Sequence, residues 1–209
     1  MTISPIKAFG FNCSLKPAVG AASSTQALLD QFLVELSKLG VEGDIARAVD
    51  YNIKPGVKSD EGEGDEWPAL RERLLAADIL IIGTPIWLGQ PSSVSKRVLE
   101  RMDAFLDEKD ERGRMPSYSK VGLCCVVGNE DGAHHVGAEV CQALFEVGFT
   151  IPAGGSTYWV GEAMSSKEYK EFKTPPKVVG QWNQMLASNT VHLARLLKIQ
   201  NYPGIPGGR

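Results

Sequence analysis

The stretch Ile79-Leu80-Ile81-Ile82-Gly83-Thr84-Pro85-Ile86-Trp87-Leu88-Gly89-Gln90-Pro91-Ser92-Ser93 decides the fold. Four consecutive aliphatic residues suit a strand covered on both faces. The run then breaks into Thr-Pro, an apolar-aromatic pair, a glycine and small hydroxyl residues, and an amphipathic pattern follows. A strand that delivers such a loop and then a helix is how an open α/β sheet builds a ligand crevice at its carboxyl edge. Hydroxyls suit a phosphate or a polyol chain, and Trp87 offers a flat apolar surface; together they fit a flavin.

Working outward, Ile6–Phe11 reads as a first buried strand. Ser23-Ser24-Thr25-Gln26 matches a capping box, followed by Leu28, Leu29, Phe32, Leu33, Leu36 and Leu39 at helical spacing, with Gly40 as the stop. Val41–Val49 is expected to form a second strand. An acidic loop over Ser59–Glu66 leads into a helix through Pro68, Leu70, Leu74 and Leu75. The third strand is expected over Asp78–Gly83, followed by a helix with Val94, Val98, Leu99, Met102, Phe105 and Leu106 on one face. A charged linker, Asp107–Arg114, precedes a fourth strand over Val121–Val127, a loop over Gly128–His135 and a helix over Val136–Phe145. Phe149–Pro152 is expected to start a fifth strand, and Trp182–Lys198 to form a terminal helix. The stretch Tyr158–Pro175 is the least regular and reads as an extra helix or an interface segment.

Strand and helix thus alternate five times, which argues for a doubly wound parallel sheet with helices on both faces, a three-layer α/β/α architecture. For five strands the flavodoxin-like order 2-1-3-4-5 leads. In that order the loops after strands 1, 3 and 4 lie side by side, and these are the loops with unusual chemistry. At 209 residues the chain is expected to be a single domain over 1–209, with 200–209 as a flexible Gly/Pro tail.

Bulk properties narrow the partners. A net charge of −3 leaves no electrostatic footprint for nucleic acid. No apolar run approaches a membrane span, and the start shows no signal-peptide pattern, so the expected location is the cytoplasm. The four cysteines, Cys13, Cys124, Cys125 and Cys141, lack metal-ligand spacing and read as reduced thiols. Cys13 is not followed by an arginine six residues on, as a C-x5-R phosphatase requires; Val19 stands there. Asn12-Cys13 and Gly83-Thr84 likewise lack the acidic residues of a response regulator. No metal site is expected.

The first loop, Asn12–Pro17 running to Gln26, ends at a helix N-terminus, where free N–H groups and the helix dipole favour a phosphate. Ser14, Ser23, Ser24 and Thr25 add hydroxyls and Lys16 a charge; capping alone accounts for one serine. No G-x-G-x-x-G follows the first strand and no Walker A lysine exists, so a mononucleotide phosphate fits. In the second loop, Thr84 to Ser93, backbone amides around Ile86 to Gly89 can bond the polar edge of a flavin ring, Gly89 allows close approach, and Trp87 can stack on the ring or shield it. The third loop offers Gly128, Asn129, Gly132 and His134; the adjacent His135 points elsewhere on a helix, and His134 is expected to face the ring.

These residues resemble the flavodoxin-like NAD(P)H-dependent FMN reductase family, relatives of the flavodoxin-like quinone reductases. Gly83-Thr-Pro-Ile-Trp-Leu-Gly-Gln-Pro-Ser-Ser-Val-Ser-Lys resembles the family pattern G-T-P-x-[WY]-x-G-x-x-[SP]-[SG]. Gly128-Asn-Glu-Asp-Gly-Ala-His-His and Thr157-Tyr-Trp-Val-Gly-Glu-Ala are similar to segments of one branch. The family often carries Gly-Ser-x-Arg in the first loop, where this chain has Cys13-Ser14-Leu15-Lys16.

The resemblance implies that Ser14, Lys16, Ser24 and Thr25 hold the FMN phosphate, that Thr84, Pro85, Ile86, Trp87, Leu88 and Gly89 line the ribityl chain and ring, and that Gly128, Asn129 and His134 close the other side. It implies that a hydride passes from NAD(P)H to FMN and electrons onward to a small acceptor such as a quinone or free flavin. No acid–base side chain is then expected to be catalytic, because the cofactor carries the chemistry. It also implies a homodimer or homotetramer with the flavin near a subunit interface. A flavodoxin-type FMN electron carrier, and a scaffold of the same fold that has lost its cofactor, remain open at this point.

Overall fold

The computed structural model describes residues 4–163 and 165–207; Met1–Ile3 of the amino-terminal reading and the last two residues of the tail lie outside them. The elements are β1 (Lys7–Asn12), α1 (Ser24–Lys38), β2 (Glu42–Arg47), α2 (Trp67–Ala76), β3 (Ile79–Trp87), β4 (Gln90–Pro91), α3 (Ser93–Arg101), β5 (Val121–Gly128), α4 (Ala133–Glu146), β6 (Ser156–Val160) and α5 (Lys177–Ile199).

Five strands pair in the order β2-β1-β3-β5-β6, all parallel, and the short β4 turns back antiparallel on the end of β3. Counted without β4, this is the 2-1-3-4-5 order, so the fold is flavodoxin-like. The ends of β1, β3 and β5 are neighbours at the carboxyl edge.

Alternation along the central strands divides the core. Leu80 and Ile82 of β3, with Cys124 and Val126 of β5, face α2, α3 and α4 through Trp67, Leu74, Val98 and Val140. Ile79 and Ile81, with Leu123, Cys125 and Val127, face α1 and α5 through Leu29, Phe32, Leu186 and Val191. Because both faces are covered, these strands carry no polar alternation. The adjacent Cys124 and Cys125 fall in opposite cores for the same reason.

Several boundaries differ from expectation. β3 runs on past Gly83 to Trp87, because Gly83, Thr84 and Pro85 keep pairing with Cys125, Val126 and Val127. The fifth parallel strand is Ser156–Val160, not Phe149–Pro152. Thr150 makes only a single bridge to Val121, Pro152 has no N–H to give a ladder, and Gly154 and Gly155 turn the chain at φ 98° and 57° before pairing begins. The capping box is half formed: Ser23 Oγ accepts the Gln26 N–H at 3.2 Å, but the Gln26 side chain bonds Asn12 and Asp30.

β6 ends at Val160, and the chain then runs irregularly to a 3-10 turn at Tyr169–Glu171. Tyr169 is fully buried between Trp159 and Phe172, with ring centroids 5.4 and 5.9 Å away. Near the C-terminus, Tyr202 stacks edge-on to Tyr118 at 5.7 Å, and its hydroxyl lies 3.0 Å from Thr150 Oγ1. No helix among the described residues is long and apolar enough to cross a membrane.

Candidate functional site

The first loop leaves β1 through a side-chain turn. Asn12 Oδ1 accepts the Ser14 N–H at 3.0 Å, and Asn12 Nδ2 donates to Gln26 Oε1 at 2.8 Å, which draws the loop onto the start of α1. The Ser24 and Thr25 amides are in the first turn of α1 and so have no intrahelical partner. The outer side of the loop is held from β2. Arg47 Nη1 donates to the carbonyls of Pro17 (2.7 Å), Ala21 (3.0 Å) and Lys16 (3.4 Å), while the Asp50 carboxylate accepts the Ala18 N–H. Nothing in the local sequence around Arg47 marks this role; only the β1–β2 pairing brings it there.

The second loop is a two-residue hairpin. Leu88 and Gly89 both have positive φ, 55° and 73°, which matches the twist of a type I′ turn. The Leu88 N–H is capped by Glu130 Oε1 at 3.0 Å. Behind the hairpin, Thr84 Oγ1 accepts the Ser92 N–H at 3.1 Å. Both residues are buried, so these hydroxyls frame the loop and do not face open space. Trp87, half-exposed, projects at the mouth.

In the third loop, a Cβ on Gly128 would come within 2.9 Å of Ile86, so glycine lets the second and third loops touch. Asn129 Nδ2 donates to the Ser165 carbonyl at 2.8 Å, latching the segment after β6 across the opening. Gly132, at φ 123°, packs on Gly89.

The loops enclose a cavity of about 390 Å³. Its polar end is Ser14, Lys16, Ser23, Ser24 and Thr25; its other walls include Pro85, Ile86 and Trp87, and Gly128 and Asn129. Thr84, Leu88, Gly89, Gly132 and His134 lie outside this lining; His134 directs Nε2 to Tyr158 Oη at 3.0 Å instead.

The sequence reading did not include Trp159, Ser166, Lys167, Glu168 and Tyr169, which form the remaining wall. The aromatic spacing of Trp159, Tyr169 and Phe172 was the available signal that this segment packs inward. Glu168 accepts from Ser24 Oγ at 3.3 Å and pairs with Lys170 Nζ at 2.9 Å and Lys16 Nζ at 3.7 Å. The Lys170 hydrogen bond, aided by Lys16, holds its carboxyl below the usual range. A larger hollow of about 640 Å³ lies by Tyr118, Phe149 and Tyr202, near the start of β5; its lining is mostly apolar and has no cationic side chain.

The donor set fits an FMN. Free helix amides, four hydroxyls and a lysine crowd one end, as a phosphate needs, and an apolar aromatic wall continues from it, as a flat ring needs. Cys13 offers no nucleophile: burial pushes its thiol up to about 12, against a smaller opposing effect from Ser95.

Comparison with known proteins agrees with this geometry. Residues 6–164 match the sequence pattern of the NADPH-dependent FMN reductases. The chain is 33% identical over 207 residues to the 8-demethyl-8-aminoriboflavin-5'-phosphate synthase of Streptomyces davaonensis, covering 94% of this chain and 80% of that one. It is 36% identical over 204 residues to a Mycobacterium bovis protein named divalent metal cation transporter MntH, covering 92% of this chain but only 29% of that protein. The crystal structure of RosB with the bound intermediate 8-demethyl-8-formylriboflavin-5'-phosphate superposes with a TM-score of 0.85 at 32% identity, over 95% of this chain and 82% of that one. An NADH:FMN oxidoreductase, EMOB, in its apo form, shares the fold, with a TM-score of 0.60 at 15% identity over 98% of this chain and 97% of its own. The family pattern over residues 6–164 and these relatives, on this strand order and with a crevice whose lining fits a flavin phosphate and ring, place the chain in the NADPH-dependent FMN reductase family, whose members are flavodoxin-like FMN flavoproteins.

Proposed function

We propose that the chain uses FMN to move two electrons from NAD(P)H to a small acceptor such as a quinone or a free flavin. The observation that carries this reading is that one cavity joins the end lined by Ser14, Lys16, Ser23, Ser24 and Thr25 to the aromatic mouth at Trp87. When bound, FMN supplies hydride acceptance and release at its ring. The protein's part is to bind and orient. Ser14, Ser24, Thr25 and Lys16 hold the phosphate; Pro85, Ile86, Gly128 and Asn129 flank the ring; Trp87 covers one ring face and leaves the mouth open to the second reactant. By the family's habit the flavin mouth lies near a subunit interface of a cytoplasmic homodimer or homotetramer, and the exposed Trp87 and Leu88 are where such a contact would fall.

The test is a visible spectrum with added FMN, then anaerobic addition of NADPH or NADH. A perturbed flavin band, bleached quickly by either nucleotide, supports the reading. No perturbation on adding FMN rejects it, and binding without bleaching favours the electron carrier.

A second reading has its own support, the high similarity to the aminoriboflavin-phosphate synthase and to RosB. Here the flavin in this cavity is itself the substrate, altered on its ring. Mass spectrometry of the flavin recovered after turnover separates the two: an unchanged mass favours the reductase, a changed mass the flavin-modifying enzyme.

A further inference from the structure

Ser24 is one of the hydroxyls at the anion-binding end of the cavity, and it is already engaged. Its Oγ donates to Glu168 Oε2 at 3.3 Å and accepts the Lys170 N–H at 3.3 Å. A serine hydroxyl has one proton, so Ser24 cannot donate to a phosphate oxygen while it donates to Glu168. Lys16, the cation of the same end, stands 3.7 Å from the same carboxylate oxygen. A carboxylate is an oxyanion with the acceptor chemistry of a phosphate edge, and two such groups on one donor set repel.

The segment carrying Glu168 is fixed on either side of it. Asn129 holds the Ser165 carbonyl. Tyr169 is buried, and its hydroxyl donates to Gln31. The backbone therefore stays, and the part free to leave is the Glu168 side chain. It has a partner to keep when it leaves Ser24: Lys170 Nζ lies 2.9 Å from the same oxygen, Oε2, on the same segment. The Glu168 side chain also accepts an N–H of the following 3-10 turn, so capping is the competing explanation for its position.

We propose that Glu168 is a built-in competitor for the phosphate end of the cavity: its carboxylate holds the Ser24 hydroxyl and faces Lys16, and a phosphorylated ligand enters by displacing it from Ser24 while it keeps Lys170. The inference rests on the FMN reading above and adds to it the residue that sets how strongly the ligand's phosphate is selected. The displacement opposes binding of a flavin with a 5'-phosphate and leaves riboflavin, which has none, unaffected.

The experiment is a fluorescence-quenching titration of the 209-residue chain, as wild type, Glu168→Gln and Glu168→Ala, with FMN and with riboflavin. Glutamine keeps the cap and removes the charge; alanine removes both. We expect FMN to bind about tenfold more tightly to Glu168→Gln, the size of one charge-assisted hydrogen bond lost by the competitor, with riboflavin affinity unchanged. Glu168→Ala should shift FMN in the same direction. Equal or weaker FMN binding by both variants overturns the proposal alone, as does a parallel shift for FMN and riboflavin, which is what a purely capping role gives. Failure of all three proteins to bind FMN overturns the cofactor reading and this proposal with it.

Discussion

The Ser92 hydroxyl donates to the carbonyl oxygen of Cys13 at 2.6 Å while accepting the Ser95 N–H at 3.0 Å. One buried side chain thus caps α3 and ties the loop after β3 to the loop after β1. Ser92→Ala leaves a buried carbonyl and a helix N-terminal amide without partners. The expected loss of stability is about 1–3 kcal/mol, measurable as a lower urea midpoint. Because the bridge joins the two loops that bound the cavity, FMN affinity should fall as well, and unaltered affinity in Ser92→Ala would show that the loops are positioned without it.

Arg101 and Asp65 form an ion pair with both side chains inaccessible and 2.8 Å between the charged groups. Arg101 also donates to the carbonyls of Lys54 and Lys58. Burial alone raises the Asp65 carboxyl, but the hydrogen bond from Arg101 and the amides of Glu61, Trp67 and Lys54 outweigh it and hold the group at about 2. A carboxyl depressed in the folded state contributes stability that is complete above its unfolded value near 4 and is lost as pH falls toward 2. The expected size is roughly 2 kcal/mol. Asp65→Asn should lower stability at neutral pH by about 3–5 kcal/mol, since it strands a buried guanidinium. It should also flatten the acid limb, and an acid limb unchanged in denaturation curves between pH 4 and 2 would contradict this account.

Arg47 holds the outer side of the loop after β1, the proposed phosphate loop, through three carbonyls. Arg47→Ala should loosen residues 16–21, weakening FMN binding by about tenfold at a stability cost of about 1–2 kcal/mol. Arg47→Lys should recover only part of the affinity, because the shorter side chain brings its ammonium less far toward the three carbonyls that Nη1 reaches. Isothermal titration with FMN distinguishes these cases; equal affinities in Arg47→Ala and wild type would limit Arg47 to a role in stability.

What could be read in advance follows from what is local. The run Ile79–Ile82 announces a covered strand because its neighbours on both faces are always helices, and the glycine and tryptophan after it mark a loop by composition alone. Ser23, Ser24 and Thr25 cluster at a helix start, which is also a local pattern. Glu168 could not be found this way. It meets Ser24 across 144 positions of sequence, and an isolated Lys-Glu-Tyr-Lys stretch looks like a solvated surface. The start of the last parallel strand was misjudged for a related reason: Phe149–Pro152 has the apolar composition of a strand, but the proline and two glycines that follow delay pairing until Ser156.

Leu88 takes φ 55° at the hairpin tip and is 91% exposed. A left-handed backbone costs an ordinary L-residue about 1–2 kcal/mol, and a side chain this exposed offsets little of it by burial. Asparagine tolerates this conformation and precedes glycine in the preferred two-residue turns. Leu88→Asn should therefore raise stability by about 0.5–1 kcal/mol, seen as a higher Tm. Strain retained at the rim of a binding cavity points to a use for the side chain itself. If the leucine serves the second reactant or a neighbouring subunit, Leu88→Asn should leave FMN affinity unchanged while raising KM for NAD(P)H or the acceptor, or weakening self-association in light scattering. A variant that is more stable and unchanged in KM and assembly would leave the exposed leucine without a role, and a less stable variant would refute the strain argument outright.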